Sequence, residues 1–255
     1  HNPIDRDMNS DTRRLPLLQL LLCASLILTL AMGIRHGFGL WMQPITQDQG
    51  WTREAFSRAI AVQNLSWGLF GMLADRWGSW RVLLGGALLW TLGLCGMALS
   101  ESPLAFTLST GVVIGAAQAA STYGVLYGII GRQIAPEKRS WAMGVTGAAG
   151  SFGQFLLVPT EGWLISSFGW QQALLVLGAS TLLLAPLALL RREPAAPAAA
   201  PGATAAQQGI WQAMREAMAY PSFRLLMAGY FVCGFQVVFI GVHLPSYLKD
   251  QGLAP

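Results

Sequence analysis

The sequence predicts an all-α integral membrane protein, and three observations carry that prediction. Charged residues fill 11% of its 255 positions and hydrophobic ones 53%, with a mean hydropathy of +0.46, whereas soluble domains carry about 25% charged residues. The apolar residues come in runs of about 20, the length that crosses a hydrocarbon layer of roughly 30 Å as a helix. A ten-residue alternation of the kind that builds a membrane barrel is missing from the sequence, and a lipid-exposed backbone that must satisfy its own hydrogen bonds is otherwise helical.

Seven runs follow one another at residues 17–41, 55–73, 82–99, 104–130, 141–165, 171–190 and 223–244. The first comes after Arg13 and Arg14, as a signal peptide would, but it is too long and lacks a small-residue cleavage site, so it reads as a retained span. The second is the most polar, with Arg58, Gln63, Asn64 and Ser66, a composition that suits a helix lining a wet pathway. In the fourth and fifth, Gly111-x-x-x-Gly115, Gly124-x-x-x-Gly128 and the series Gly144, Gly147, Gly150 and Gly153 read as helix-packing faces. After Arg191 and Arg192 the stretch "EPAAPAAAPGATAAQQG" is a linker. Ile210, Trp211, Met214, Ala217 and Met218 then recur at helical spacing opposite Arg215 and Glu216, the pattern of a helix lying on a membrane surface. The expected organisation is a cytoplasmic tail (1–16), a six-helix bundle (17–190), a cytoplasmic linker with an amphipathic helix (191–222), and the first helix of a second bundle with an outer loop (223–255).

A net charge of +4 and a pI near 9.3 could point to nucleic acid, so the placement of the basic residues decides. With seven spans and the N-terminus inside, twelve of the sixteen Lys and Arg residues fall on the inner side, Arg53 and Lys249 lie in outer loops, and Arg35 and Arg58 fall within spans. This is the positive-inside bias of an inner-membrane protein, and it excludes a nucleic-acid partner as the reason for the charge. Cys23, Cys95 and Cys233 lie in apolar runs and behave as small hydrophobes. No phosphate-binding loop, metal constellation or nucleophile–base set is present in the sequence, so no nucleotide, metal, cofactor or enzymatic activity is expected.

A phrase returns. Asp48-Gln49-Gly50 aligns with Asp250-Gln251-Gly252 at an offset of 202, and the same offset sets Phe38-Gly39-Leu40 on Ile240-Gly241-Val242. Six spans and a linker fill that length, so the seventh span reads as the first of a second copy in the same orientation. The chain would then be part of a protein of roughly 400 residues, an expectation that fits its beginning with His1 in place of Met.

The stretch "GMLADRWGSWR" resembles the signature loop between the second and third helices of the major facilitator superfamily: Gly71, Asp75, Arg76, Gly78 and Arg81 fit, and Trp80 stands where a basic residue is usual. An aspartate at a helix end beside arginines in a glycine turn can form charge-assisted bonds that hold two bundles together, so these five residues are expected to form a conformational gate. "RQIAPEKRSWAMGVTGAAGSFGQFLLVP", "FGW" and "RHGFGLWMQPI…GWTR" are similar to the monocarboxylate-porter and oxalate:formate-antiporter branch. The resemblance implies a six-helix bundle followed by the first helix of its partner, working by alternating access on a small organic anion, a mono- or dicarboxylate, with protons or a counter-anion as the coupling species.

Arg35 is the first candidate for the anion. A charge in hydrocarbon costs from about 2.5 to more than 10 kcal/mol, so it faces a cavity or a partner or snorkels to the headgroups along its long side chain, and guanidinium grips carboxylate bidentately. The resemblance adds that monocarboxylate porters carry a binding lysine at or beside this position; here it is an arginine. Asn64, Tyr123, Tyr127 and Gln154 are candidate substrate contacts, Gln63, Trp67 and Gln118 further polar or aromatic residues of the route, and Tyr123 and Tyr127 share a helix face. Glu161 and His243 are the coupling candidates; for Glu161 a place at headgroup level, or a role neutralising Arg35 or Arg58, are the alternatives. A drug/proton exporter is the rival transporter, although "GAAGSFGQFLLVP" has no adjacent Gly-Pro and Arg35 stands where a glutamate would favour it. A seven-helix receptor and an inactive fragment complete the alternatives.

Overall fold

The computed structural model describes residues 17–74, 79–185 and 210–252, and the secondary structure of these residues is helical throughout. The first run forms two helices, α1 (Leu17–His36) and α2 (Phe38–Gln49), separated by Gly37. Gly50 ends α2 with φ +66° and donates its N–H to the Thr46 carbonyl, a left-handed cap that glycine adopts without steric cost. Next come α3 (Arg53–Ala74) and α4 (Ser79–Ala98).

The fourth run is broken three ways. Ser102 caps α5 (Pro103–Phe106) by accepting the Ala105 N–H at 3.2 Å. A π-helical turn, Thr107–Val113, leads into α6 (Ile114–Ala120), and the chain breaks again at Ser121 and Thr122 before α7 (Tyr123–Gln133). Ser121 Oγ donates to the Ala117 carbonyl and accepts from Trp90 Nε1, each at 2.9 Å, so the freed polar groups at this break are bonded internally. The remaining helices are α8 (Pro136–Phe168), α9 (Trp170–Thr181), α10 (Ile210–Ala219) and α11 (Pro221–Asp250).

The helices of residues 17–185 pack as one bundle, with α1 against α8, α3 against the π-turn and α6, and α4 against α6 and α9. Small residues allow the closest approaches. A Cβ on Gly153 would lie 2.6 Å from Thr29 Cα, and one on Gly33 would lie 2.7 Å from the Gly153 carbonyl oxygen, so α1 and α8 touch backbone to backbone. Gly111 and Gly115 serve the α3 seam in the same way, against Val62 and Ser66. The expected face Gly124-x-x-x-Gly128 is corrected: a Cβ on Gly124 would meet nothing, and one on Gly128 would meet only Arg132 of its own helix. There α7 packs through Leu126, Ile129 and Ile130, which are buried. Gly144 likewise faces open space.

Four described helical stretches are long and apolar enough to cross a membrane by length and composition: Leu17–His36, Arg81–Ala98, Pro103–Gln133 and Pro221–Asp250. The expected second span, α3, is not among them, in keeping with its polar residues; α8 and the 12-residue α9 also fall short by this measure. α11 meets the bundle through its C-terminal half. Its buried residues are Val242 and Ser246, whereas Tyr230, Phe231 and Phe235 are exposed. α10 presents Trp211, Met214 and Met218 as exposed apolar side chains on one face, the arrangement expected of a surface helix.

Candidate functional site

Between α3 and α11 lies a cleft of about 630 Å³, and Arg35 stands at its edge. Helix α1 brings the guanidinium there one residue before its own end, where the chain turns through His36 and Gly37 into α2. The group turns onto α3. Its carbon sits 3.8 Å from the centroid of the Trp67 ring, within the range of a cation–π contact, and Nη2 donates to Asn64 Oδ1 at 3.4 Å. Asn64 is oriented for this by donating its own Nδ2–H to the Ile60 carbonyl at 2.8 Å. Arg35 Nη1 is buried without a partner. A desolvated charged donor left unpaired is costly, so this nitrogen is suited to an incoming acceptor.

The cleft assembles two of the five expected substrate contacts, Arg35 and Asn64, together with the coupling candidate His243. Its lining does not include Tyr123, Tyr127 or Gln154. The tyrosines do pair, with ring centroids 5.4 Å apart, but Tyr127 donates to the Met143 carbonyl at 3.1 Å and the Tyr123 hydroxyl lies against Gly150. Both thus pack onto α8. Gln63 is buried with Nε2 unpartnered, and Gln118 is buried with both amide atoms unpartnered.

Glu161 occupies a separate, fully buried place where α8 crosses the α1/α2 break. Trp41 Nε1 donates to its Oε2 at 2.8 Å, and Oε1 has no partner. A Cβ on Gly37 would collide with this carboxyl group, so the missing side chain at the break makes its seat. Glu161 contacts neither Arg35 nor Arg58 as an ion pair: among the described residues the ion pair is Arg53–Asp250, at 2.7 Å.

Of the expected gate, Gly71 lies in α3 and Arg81, exposed, in α4, whereas Asp75, Arg76 and Gly78 lie outside the described residues. At the other end of α3, α2 and α3 hold α11. Gly39 meets the Gly241 backbone, Ser246 Oγ lies 3.5 Å from Met42 Sδ, and Arg53 bonds Asp250 through two hydrogen bonds of 2.7 and 2.8 Å. The sequence assigns no contact to Trp41 or to Asp250, which it marks only as part of the returning phrase. Neither carries a local signal, because their partners lie 120 and 197 residues away.

Comparison with known proteins agrees with this architecture. A family model described as Major Facilitator Superfamily matches residues 21–255. Monocarboxylate transporter 11 of Mus musculus is 30% identical over 236 residues, which cover 88% of this chain and 50% of that protein. An MFS-type efflux pump of Mycolicibacterium smegmatis is 31% identical over 163 residues, covering 62% of this chain and 36% of the pump. The crystal structure of a bacterial homolog of the human lysosomal transporter Spinster, inward-facing and unoccupied, superposes with a TM-score of 0.58 at 24% identity, over 88% of this chain and 55% of that one. The chain therefore spans about half the length of the mouse transporter and of the Spinster homolog, and less of the pump. The match over nearly its whole length shows that the chain belongs to the major facilitator superfamily, a family of membrane transporters and not of enzymes.

Proposed function

We infer that this chain serves secondary active transport of a small organic anion, a mono- or dicarboxylate, by alternating access. The observation that carries this reading is the buried, unpartnered Arg35 Nη1 at the cleft between α3 and α11. Similarity to a protein named as a monocarboxylate transporter supports it. The carboxylate would take Nη1 while Trp67 and Asn64 hold the guanidinium plane, and helices on either side of the cleft would rock about it. Glu161, with one free oxygen, and His243, in the cleft wall, are the candidates to carry a coupled proton; exchange for a second anion uses the same cleft. In this reading the bundle of residues 17–190 and the helix that follows the linker belong to two halves, the N-terminus is cytoplasmic, and the membrane is a bacterial inner membrane.

The test is binding of radiolabelled mono- and dicarboxylates to the chain in lipid nanodiscs, with uptake into proteoliposomes alongside. Arg35→Gln is expected to weaken binding roughly tenfold or more, the loss of a charge-assisted hydrogen bond worth about 1.5–3 kcal/mol. Unchanged binding by the variant refutes the anion role. The second reading, export of apolar drugs, has in its favour the likeness to an efflux pump and the aromatic lining of the cleft. It predicts tight binding of hydrophobic cations that ignores Arg35.

A further inference from the structure

The lining of the cleft narrows the chemistry of the anion further than its charge does. Arg35 is the one Lys, Arg, Asp or Glu among the described residues that line it. The opposite wall is a column of rings on α11. Phe235 and Phe239 stack with centroids 5.9 Å apart and planes 12° from parallel, and Phe239 meets His243 at 5.1 Å. Tyr230 and Phe231 continue the column toward the inner side, and Trp67 faces the cleft from α3 beneath the guanidinium. Phe231, Phe235 and Phe239 all line the cleft.

We propose that the anion taken at Arg35 is a monocarboxylate with an aromatic body, its carboxylate on Arg35 Nη1 and its ring against the Phe235–Phe239 column. This deepens the anion reading above and rests on it. A second carboxylate would find groups such as the Ser57 hydroxyl, the Asn64 amide and the His243 imidazole among the described lining residues, with no second guanidinium or ammonium, whereas a ring would find the phenyl column. A two- or three-carbon acid would occupy the guanidinium and leave the ring column wetted. A neutral aromatic would cover the column and leave Nη1 unpaired. An arylcarboxylate satisfies both, since a planar ring packs edge-to-face or offset on the phenyl faces at centroid spacings of about 4.5–7 Å. The volume of about 630 Å³ falls within the range of about 300–1,000 Å³ usual for small-molecule sites.

Equilibrium binding of radiolabelled phenylacetate to the chain in nanodiscs tests this, with unlabelled acetate, succinate and 2-phenylethanol as competitors. Phenylacetate is expected to bind at least roughly tenfold more tightly than each of the three. Phe235→Ala with Phe239→Ala should collapse the phenylacetate-to-acetate affinity ratio toward one, and Arg35→Gln should remove phenylacetate binding. Both phenylalanines are exposed, so their loss does not open the core; thermal unfolding of each variant checks that it remains folded. If acetate or succinate binds as tightly as phenylacetate, or the double variant keeps the ratio while Arg35→Gln still removes anion binding, the aromatic class is wrong and the anion reading stands. If no anion binds in an Arg35-dependent way, both fall. Equal binding of 2-phenylethanol that ignores Arg35 also overturns both and favours the apolar-drug reading.

Discussion

Gly39 of α2 packs directly on Gly241 of α11: a Cβ at position 39 would run into the Gly241 carbonyl oxygen and come within 3.1 Å of Pro245 Cγ. These two glycines are also the residues that the 202-position sequence offset places in register. The aligned Gly50 and Gly252 share a further feature, since both have positive φ, +66° and +75°.

The contact is asymmetric, and that yields the first prediction. Gly39→Ala must push α11 away, whereas a Cβ on Gly241 meets nothing. Overpacking costs about 1–3 kcal/mol, enough for a roughly tenfold shift in an opening equilibrium. With Ser246→Cys as the reporter, at a position 3% exposed, labelling by a membrane-impermeant maleimide should accelerate about that much in Gly39→Ala and stay unchanged in Gly241→Ala.

The Arg53–Asp250 clasp closes the same seam from the rim. Both side chains are largely exposed, so the pair is screened by salt. Arg53→Asp should speed labelling of the same reporter, and the charge-swapped pair Arg53→Asp with Asp250→Arg should slow it again. Salt near 1 M, where the screening length is about 3 Å, should bring the native chain toward Arg53→Asp. Failure of the swap to restore protection would show that the clasp does not hold the seam.

Trp41 supplies the sole protein hydrogen bond given to Glu161 among the described residues. Trp41→Phe keeps most of the ring volume and strands the carboxyl group, a loss of about 1–3 kcal/mol. The expected result is a lowered thermal unfolding midpoint in detergent, largely recovered by adding Glu161→Leu. Gly37→Ala should lower the midpoint through the same group, because its Cβ would take the space of the carboxyl oxygens.

At the α1–α8 seam, Gly153→Val is expected to be the most damaging single change considered. Its side chain would meet the backbone of Thr29, which cannot swing aside as a flexible side chain would. Gel filtration should show loss of the monodisperse species, while Gly144→Val, facing open space, should elute as the native chain does.

The helices and most of their order were legible in the sequence because hydropathy and run length are local properties. Even the weakness of the second span was visible in Arg58, Gln63, Asn64 and Ser66. Packing faces were only half legible. Gly111 and Gly153 make close contacts while Gly124 and Gly144 do not, although Gly111 and Gly124 share one glycine spacing and Gly144 and Gly153 another. Arg35 stood out for the cost of a charge in an apolar run; its stacking on Trp67, 32 positions away in sequence, did not.

Composition, run length and the placement of basic residues thus determined by themselves that this is a helical membrane protein. Tertiary structure alone decided which polar residues meet. It set Arg35 on Trp67 and Asn64, turned Tyr127 onto the α8 backbone, and seated Glu161 against Trp41 in the space left by Gly37. The physical reason is that burial preference is carried by each residue and its near neighbours, whereas the partner of a buried polar group depends on how helices far apart in sequence cross.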